Sequence, residues 1–195
     1  PKAGLIAALA GWFAGIKHRT HIFTGQVWAS RTGMMKTVLK TFDKVIARFD
    51  NHIMTDGKSQ RTFLEKENVL HEGQAIVFGH GSICGVNAER FVPDAVARKR
   101  IRQEINIKEG HLIYIFLGRL NKDKGIDELY RAFNKLAGEE DDIFLLLVGR
   151  DEGGYIGKLS EYDNIKEHEN FYYYGSTPKP ECVLNAGDVF VLPTY

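Results

Sequence analysis

The sequence is short of the residues that build several familiar sites. Its two cysteines, Cys84 and Cys182, make no CxxC pair and no disulfide framework in 195 residues, which points to a reducing compartment. None of the seven histidines stands in HExxH or in paired Cys/His spacing, so no metal centre is expected. GxxxxGK[ST] is absent, which excludes a P-loop NTPase, and no strand is followed by GxGxxG, which excludes a dinucleotide dehydrogenase. Ser82 sits in "HGSIC" rather than GxSxG, so a nucleophile elbow is excluded too. Low-complexity runs and internal repeats are missing, and 44% hydrophobic with 26% charged residues is the make-up of an ordinary folded domain. The apolar stretch "AGLIAALAGWFAGI" (3–16) falls short of the roughly 20 residues that span a bilayer. No Met begins the chain and no cleavage site follows that stretch, so a secretory signal is not expected. A buried Ala/Gly-rich helix is expected instead, with Trp12 and Phe13 in the core and a membrane contact as the alternative.

What is present is unevenly charged. Residues 1–87 carry 11 Lys and Arg against 6 Asp and Glu, a net of +5, whereas 88–195 carry 15 against 19, a net of −4. The first part is suited to an acidic partner, if the excess is more than ordinary surface charge. "RTHIFTG" (19–25) reads as a strand. "MMKTVLKTFDKVIARFDN" is an amphipathic helix with Val38, Leu39, Phe42, Val45, Ile46 and Phe49 at helical steps. "HIMTDG" is a strand and "SQRTFLEKENVL" a helix with Ser59 as its expected N-cap. "AIVFGHG" (75–81) is another strand, and the glycine-rich "GHGSICGVNAERFVPD" is a crossover between two units.

Beyond the crossover, helix "AVARKRIRQEIN" leads to a regular alternation. Strands "HLIYIFLG", "DIFLLLVG", "FYYYG" and "VFVLPT" are interleaved with helices "IDELYRAFNKLAG" and "KPECVLNAG". Strands apolar throughout predict a parallel sheet covered on both faces. The connections "GRLNKDKG", "GRDEGG" and "GSTPKP" then open on one rim, at the carboxyl ends of the strands, where such sheets bind ligands. The tyrosines 172–174 are expected in a strand with alternating burial. With Glu167 and Glu169 before them they are no platform for nucleic acid.

Arg119 and Lys124 flank the tightest of these connections, just before a helix start. Helix N–H groups and dipole favour an anion there, Arg119 offers a bidentate fork, Lys124 a point charge, and Gly118 and Gly125 permit close backbone approach. Together they make a candidate cradle for a diphosphate. The plain alternative is a pair of solvated loop charges bonded to Asp123 or Asp127.

"FLGRLNKDKGIDELYRAFNKL", "IFLLLVGRDE", "FYYYGSTPKPECVLNAGDVFVLPTY", "PKAGLIAALAGWFAGIKHRTHIFTGQVWA" and "GSICGVNAERFVP" together resemble a family-4 retaining glycosyltransferase of bacterial capsular or surface polysaccharide assembly. The resemblance implies the GT-B fold: α/β, with two Rossmann-like, doubly wound parallel sheets, both incomplete in this chain. Residues 1–87 would be the rear of an acceptor-side domain with the crossover, and 88–195 the front of the nucleotide-sugar domain. It implies transfer of a sugar, with retention, from a UDP-sugar to a lipid-linked or saccharide acceptor, without a metal or other cofactor. It places Gly118, Arg119 and Lys124 on the donor diphosphate, Gly149, Glu152, Gly175 and Ser176 along the nucleotide, and Thr24, Gly25 and Gln26 in an acceptor-side loop.

The catalytic residues remain unassigned. Many relatives carry a histidine before the glycine of that loop, and Thr24 stands there here, while His21 is expected to be a packed strand residue. The glutamate pair eight residues apart that should follow "LPTY" is not reached, so an internal, inactive fragment is expected. A non-catalytic nucleotide-sugar-binding or scaffolding module is the alternative, and an epimerase of the UDP-N-acetylglucosamine type a remoter one. A cytoplasmic location, peripheral to the inner face of the plasma membrane, is expected, as is self-association through open sheet edges.

Overall fold

The computed structural model describes residues 2–107 and 110–194, so Pro1 and Tyr195, the ends of the two expected domains, lie outside it. The chain divides into two compact units, Pro1–Val86 and Asn87–Tyr195.

In the first unit, three strands, β1 (Thr20–Phe23), β2 (His52–Thr55) and β3 (Ala75–Ile76), form a parallel sheet in the order β1-β2-β3. The helices are α1 (Lys2–Phe13), α2 (Gly33–Phe49) and α3 (Lys58–Lys66). The apolar stripe of α2 brings Ile46 and Ala47 onto Phe23, Ile53 and Leu64. Trp28 is fully buried there, stacked 5.4 Å from the Phe63 ring, and its indole Nε1–H donates to Asp43 Oδ2 at 2.7 Å. That bond satisfies two polar groups that burial would otherwise penalise.

α1 departs from expectation. Only Ala8 and Gly11 are buried; Trp12 is 48% and Phe13 78% exposed. Its small residues make the close approach to neighbouring elements, and its bulky ones project off that face. His21 is half-buried in its strand, edge-on to Phe23 at 4.5 Å. Ser59 is not the N-cap of α3, since the helix begins one residue earlier, at Lys58, with Gly57 in the cap position. β3 ends at Ile76, well short of the expected 75–81.

In the second unit, α4 (Ala95–Glu104) precedes a four-stranded parallel sheet of β4 (Leu112–Leu117), β5 (Ile143–Val148), β6 (Phe171–Gly175) and β7 (Val189–Phe190), ordered β6-β5-β4-β7. α5 (Ile126–Ala137) joins β4 to β5, and the short α6 (Pro180–Leu184) lies between β6 and β7. Every residue of β5 is buried. The two-residue period of a strand sends Leu145 and Leu147 to the face covered by Ile126, Leu129, Tyr130 and Phe133 of α5. Phe144, Leu146 and Val148 go to the face covered by Ile101, Ile105 and Val183. Each such buried side chain contributes about 1.5–3 kcal/mol. Helices on both faces of a parallel sheet make the unit doubly wound.

Asp94 caps α4, accepting from the Val96 and Ala97 N–H groups. Asp188 staples α4 to the sheet: it receives Arg98 and Arg102 at 2.5 and 2.6 Å and the Ile113 N–H at 2.8 Å. Burial pushes its carboxyl up, but those donors outweigh burial and hold it below the usual carboxylate range. β6 alternates between the two faces, Phe171 and Tyr173 on the α5 side and Tyr172 and Tyr174 on the α4 side, but its three tyrosines are half-buried alike because both faces are covered. β7 is only two residues long, against the expected six of "VFVLPT".

Candidate functional site

Parallel pairing puts the carboxyl ends of β4, β5, β6 and β7 along one edge of the second unit. The loops leaving that edge are sewn together by backbone bonds. Gly118 N–H donates to Val148 O (2.9 Å), Leu120 N–H to Arg150 O (2.8 Å), and both Glu152 and Gly153 N–H to Leu120 O (3.1 Å). Gly149 N–H donates to Gly175 O at 2.8 Å. The approach demands glycine: with φ +136°, a Cβ on Gly149 would lie 1.8 Å from the Gly118 oxygen. Tyr173 locks the same corner, its hydroxyl donating to Gly149 O at 2.9 Å and accepting from Asp151 N–H at 3.2 Å.

Asp151 shapes the loop after β5. Its carboxylate accepts from the N–H groups of Gly153, Tyr155 and Ile156 at 3.2, 3.0 and 3.1 Å. Burial raises its pKa, yet those backbone donors outweigh burial and hold it low, so the residue is charged at neutral pH. With that loop fixed, Glu152 faces Arg119: Nη1 to Oε2 is 3.2 Å, and Asn121 Nδ2 donates to the same oxygen at 3.3 Å.

Lys124 stands on the far side of a single 3₁₀ turn, Lys122–Lys124. Its ammonium lies 3.5 Å from Thr194 Oγ1, and it makes no ion pair among the described residues. Gly125 follows in the left-handed region (φ +65°) and opens α5 without a side-chain cap. Asp127, in the first turn, is engaged by the Tyr155 hydroxyl at 3.2 Å and Lys158 at 3.4 Å rather than by Arg119 or Lys124. Burial, and then the Asp127 charge, push the Tyr155 hydroxyl up.

The fold thus brings Gly118, Arg119, Gly149, Glu152 and Gly175 to one sewn corner, with Ser176 exposed just beyond it and Lys124 across the turn at α5. Neither Asp123 nor Asp127 pairs with the two cations. Asn121, Asp151, Tyr173 and the Pro193–Thr194 segment belong to the same rim and were not singled out from the sequence. Asn121 and Asp151 had a local signal, lying in the connections "GRLNKDKG" and "GRDEGG" that open on this rim, and the other two had none.

In the first unit, the loop after β1 holds Thr24 and Gly25 exposed and Gln26 half-buried. Gln26 Oε1 accepts from Gln60 at 3.4 Å, while its buried Nε2 has no partner among the described residues. Asp56 at the end of β2 receives the Ser82 N–H (2.6 Å) and, through its side chain, the Ile83 N–H (2.9 Å), which pins the glycine-rich crossover. Among the described residues no group of three or more His, Cys, Asp or Glu could hold a metal ion. Likewise no helix among them is long and apolar enough to cross a membrane.

A doubly wound parallel sheet with glycine-bounded loops and cations at its carboxyl edge defines an α/β protein of the ligand-binding Rossmann-like class. Residues 97–195 match the family described as "Glycosyl transferases group 1", and the chain belongs to that family. The capsular polysaccharide biosynthesis glycosyltransferase CapM of Staphylococcus aureus is 25% identical over 196 residues, covering 100% of this chain and 51% of CapM. A GDP-mannose-dependent alpha-(1-6)-phosphatidylinositol monomannoside mannosyltransferase of Mycolicibacterium smegmatis is 30% identical over 112 residues, 56% of this chain and 28% of that protein.

Among solved structures, Anabaena Alr3699/HepE in complex with UDP-glucose superposes with a TM-score of 0.78 at 17% identity, over 99% of this chain and 51% of that one. WaaG, a glycosyltransferase involved in lipopolysaccharide biosynthesis, gives 0.65 at 17% identity, over 89% and 50%. The fold is GT-B, with two incomplete sheets. The chain spans about half the length of CapM and of HepE.

Proposed function

We propose that this protein transfers a sugar, with retention of configuration, from a UDP-sugar to a lipid-linked or saccharide acceptor in the assembly of a bacterial surface polysaccharide, at the cytoplasmic face of the membrane. The observation that carries the reading is the junction between β4 and α5. Arg119 and Lys124 stand on either side of a glycine-bounded turn, at the carboxyl edge of a parallel sheet, beside a helix start that no side chain caps. The names of CapM and of the HepE complex with UDP-glucose support the donor class and the pathway.

In this reading the two cations hold the oxygens of the diphosphate as it leaves and offset the charge that develops on it, so that no metal is needed. Gly149, Glu152, Gly175 and Ser176 line the nucleotide, and Thr24, Gly25 and Gln26 face the acceptor. Calorimetry of the full-length protein with UDP, and with GDP as the competing base, tests it. Arg119→Ala and Lys124→Ala are each expected to weaken UDP binding by roughly 1–3 kcal/mol, the worth of a charge-assisted hydrogen bond. Binding unchanged in both variants would remove the cradle.

A further inference from the structure

We propose that Glu152 is a resident stand-in for the donor diphosphate. Its carboxylate occupies Arg119 when the donor is absent and is displaced when the donor binds. The inference rests on the diphosphate reading of Arg119 given above, and it assigns Glu152 a role beyond lining the nucleotide.

The geometry is that of an anion already seated. One carboxylate oxygen receives two donors, Arg119 Nη1 at 3.2 Å and Asn121 Nδ2 at 3.3 Å. A guanidinium and an amide that converge on a carboxylate oxygen would equally hold a phosphate oxygen, which offers the same lone pairs and more charge. The contact is not a chance meeting of mobile loops. Glu152 N–H is bonded to Leu120 O, Leu120 N–H to Arg150 O, and Asp151 ties the backbone beyond through three N–H groups. The backbone therefore holds Glu152 opposite Arg119, and only its side chain is free to leave.

Other nearby acids are occupied elsewhere. Asp151 is spent on its own loop, and Asp127 is bonded to Tyr155 and Lys158. Among the described residues Glu152 is thus the carboxylate that meets Arg119. The pair is also built to exchange: the Arg119 side chain is 64% exposed and that of Glu152 32%. An ion pair so open to water is worth little, so it can orient the guanidinium in the empty site without barring the donor.

The test is UDP titration of the full-length protein as wild type, Glu152→Gln, Arg119→Ala and the double variant, at low and high salt, with inorganic pyrophosphate as a second probe. Removing the resident charge is expected to lower the Kd for UDP and for pyrophosphate by about two- to fivefold, the span of an exposed ion pair. The gain should shrink as salt rises and vanish when Arg119 is also absent. Glu152→Ala repeats the test in case the glutamine amide keeps a bond to the nucleotide. Equal or weaker binding in both Glu152 variants, with wild type still binding, overturns the inference alone. Wild type that fails to bind UDP, or Arg119→Ala that binds as wild type does, overturns the diphosphate reading of Arg119 and this inference with it.

Discussion

Gly125→Ala isolates the tightest demand that the rim makes on the chain. Gly125 has φ +65°, and a Cβ there would lie 2.0 Å from the Pro193 carbonyl oxygen and 3.0 Å from its carbon. Left-handed backbone costs an alanine about 1–2 kcal/mol. The clash adds to this, because the obstacle is backbone and has no rotamer to adopt, and forced displacement in a packed site costs about 1–3 kcal/mol. The variant should therefore lose about 2–5 kcal/mol, a fall in melting temperature on the order of 10 °C or more for a unit of this size.

The chain supplies its own assay. All eight tyrosines lie in 87–195 and both tryptophans, Trp12 and Trp28, in 1–86. Tyrosine emission or near-ultraviolet circular dichroism follows the damaged unit, and tryptophan emission follows the other. Gly125→Asn separates the two costs, since asparagine tolerates the left-handed region but still carries the clashing Cβ. A tyrosine midpoint unchanged in Gly125→Ala, or a wild-type midpoint in Gly125→Asn, would refute the reasoning.

Two further outcomes follow from the buried and capping groups. Burial raises the Asp43 carboxyl, against the lowering pull of the Trp28 N–H, so the folded protein binds its proton more tightly than the unfolded chain does. Stability then falls as pH rises from the ordinary value near 3.8 through the folded pKa, and the deficit persists above it. Asp43→Asn keeps an acceptor for the indole and removes the charge. The difference between its tryptophan-monitored stability and that of wild type should grow across that window and stay flat beyond it. Asp94→Ala should cost about 1 kcal/mol in urea unfolding, because it uncaps two N–H groups of α4, whereas Ser59→Ala should be nearly silent. Equal costs for the two would contradict the observed caps.

The sheet of the second unit was legible because "IFLLLV" and its neighbours are apolar without alternation, and two-sided burial is the one environment that asks for this. Its parallel order then fixed which loops share an edge, and so the placement of Gly118, Arg119, Gly149 and Gly175. The exposed side of α1 was not legible, because apolar composition alone does not say which side of a helix is covered. Ala8 and Gly11 are buried, while Trp12 and Phe13 are left exposed. The strands β3 and β7 are shorter than hydrophobicity implies because apolar residues continue past Ile76 and Phe190 while residue pairing stops there; β4 receives one more bond, from Val191 N–H to Ile115 O, and Pro193 has no N–H to give.

The partner of Arg119 was beyond local reading for a different reason. The acids near it in sequence, Asp123 and Asp127, were the natural candidates, and the one that meets it lies 33 residues away. No spacing rule reaches that far. It takes the parallel register of β4 with β5, Leu117 opposite Val148, to bring the two loops out side by side. Tyr173 is hidden in the same way, as a β6 residue whose hydroxyl serves the loop after β5.

Core and rim are therefore constrained in opposite senses. Between the helices and β5 the requirement is volume, and hydrophobic residues of similar size can trade places at modest cost. At the carboxyl edge the requirement is the absence of atoms. Gly149 meets the Gly118 oxygen and Gly125 the Pro193 oxygen, each at a distance that no Cβ could share. Both glycines flank the charged turn, one beside Arg119 and the other beside Lys124. The backbone approach that leaves no room for side chains is what brings the β5 loop against Arg119 and the segment after β7 against Lys124. The place of the charged turn is set by these backbone contacts before any side chain reaches it.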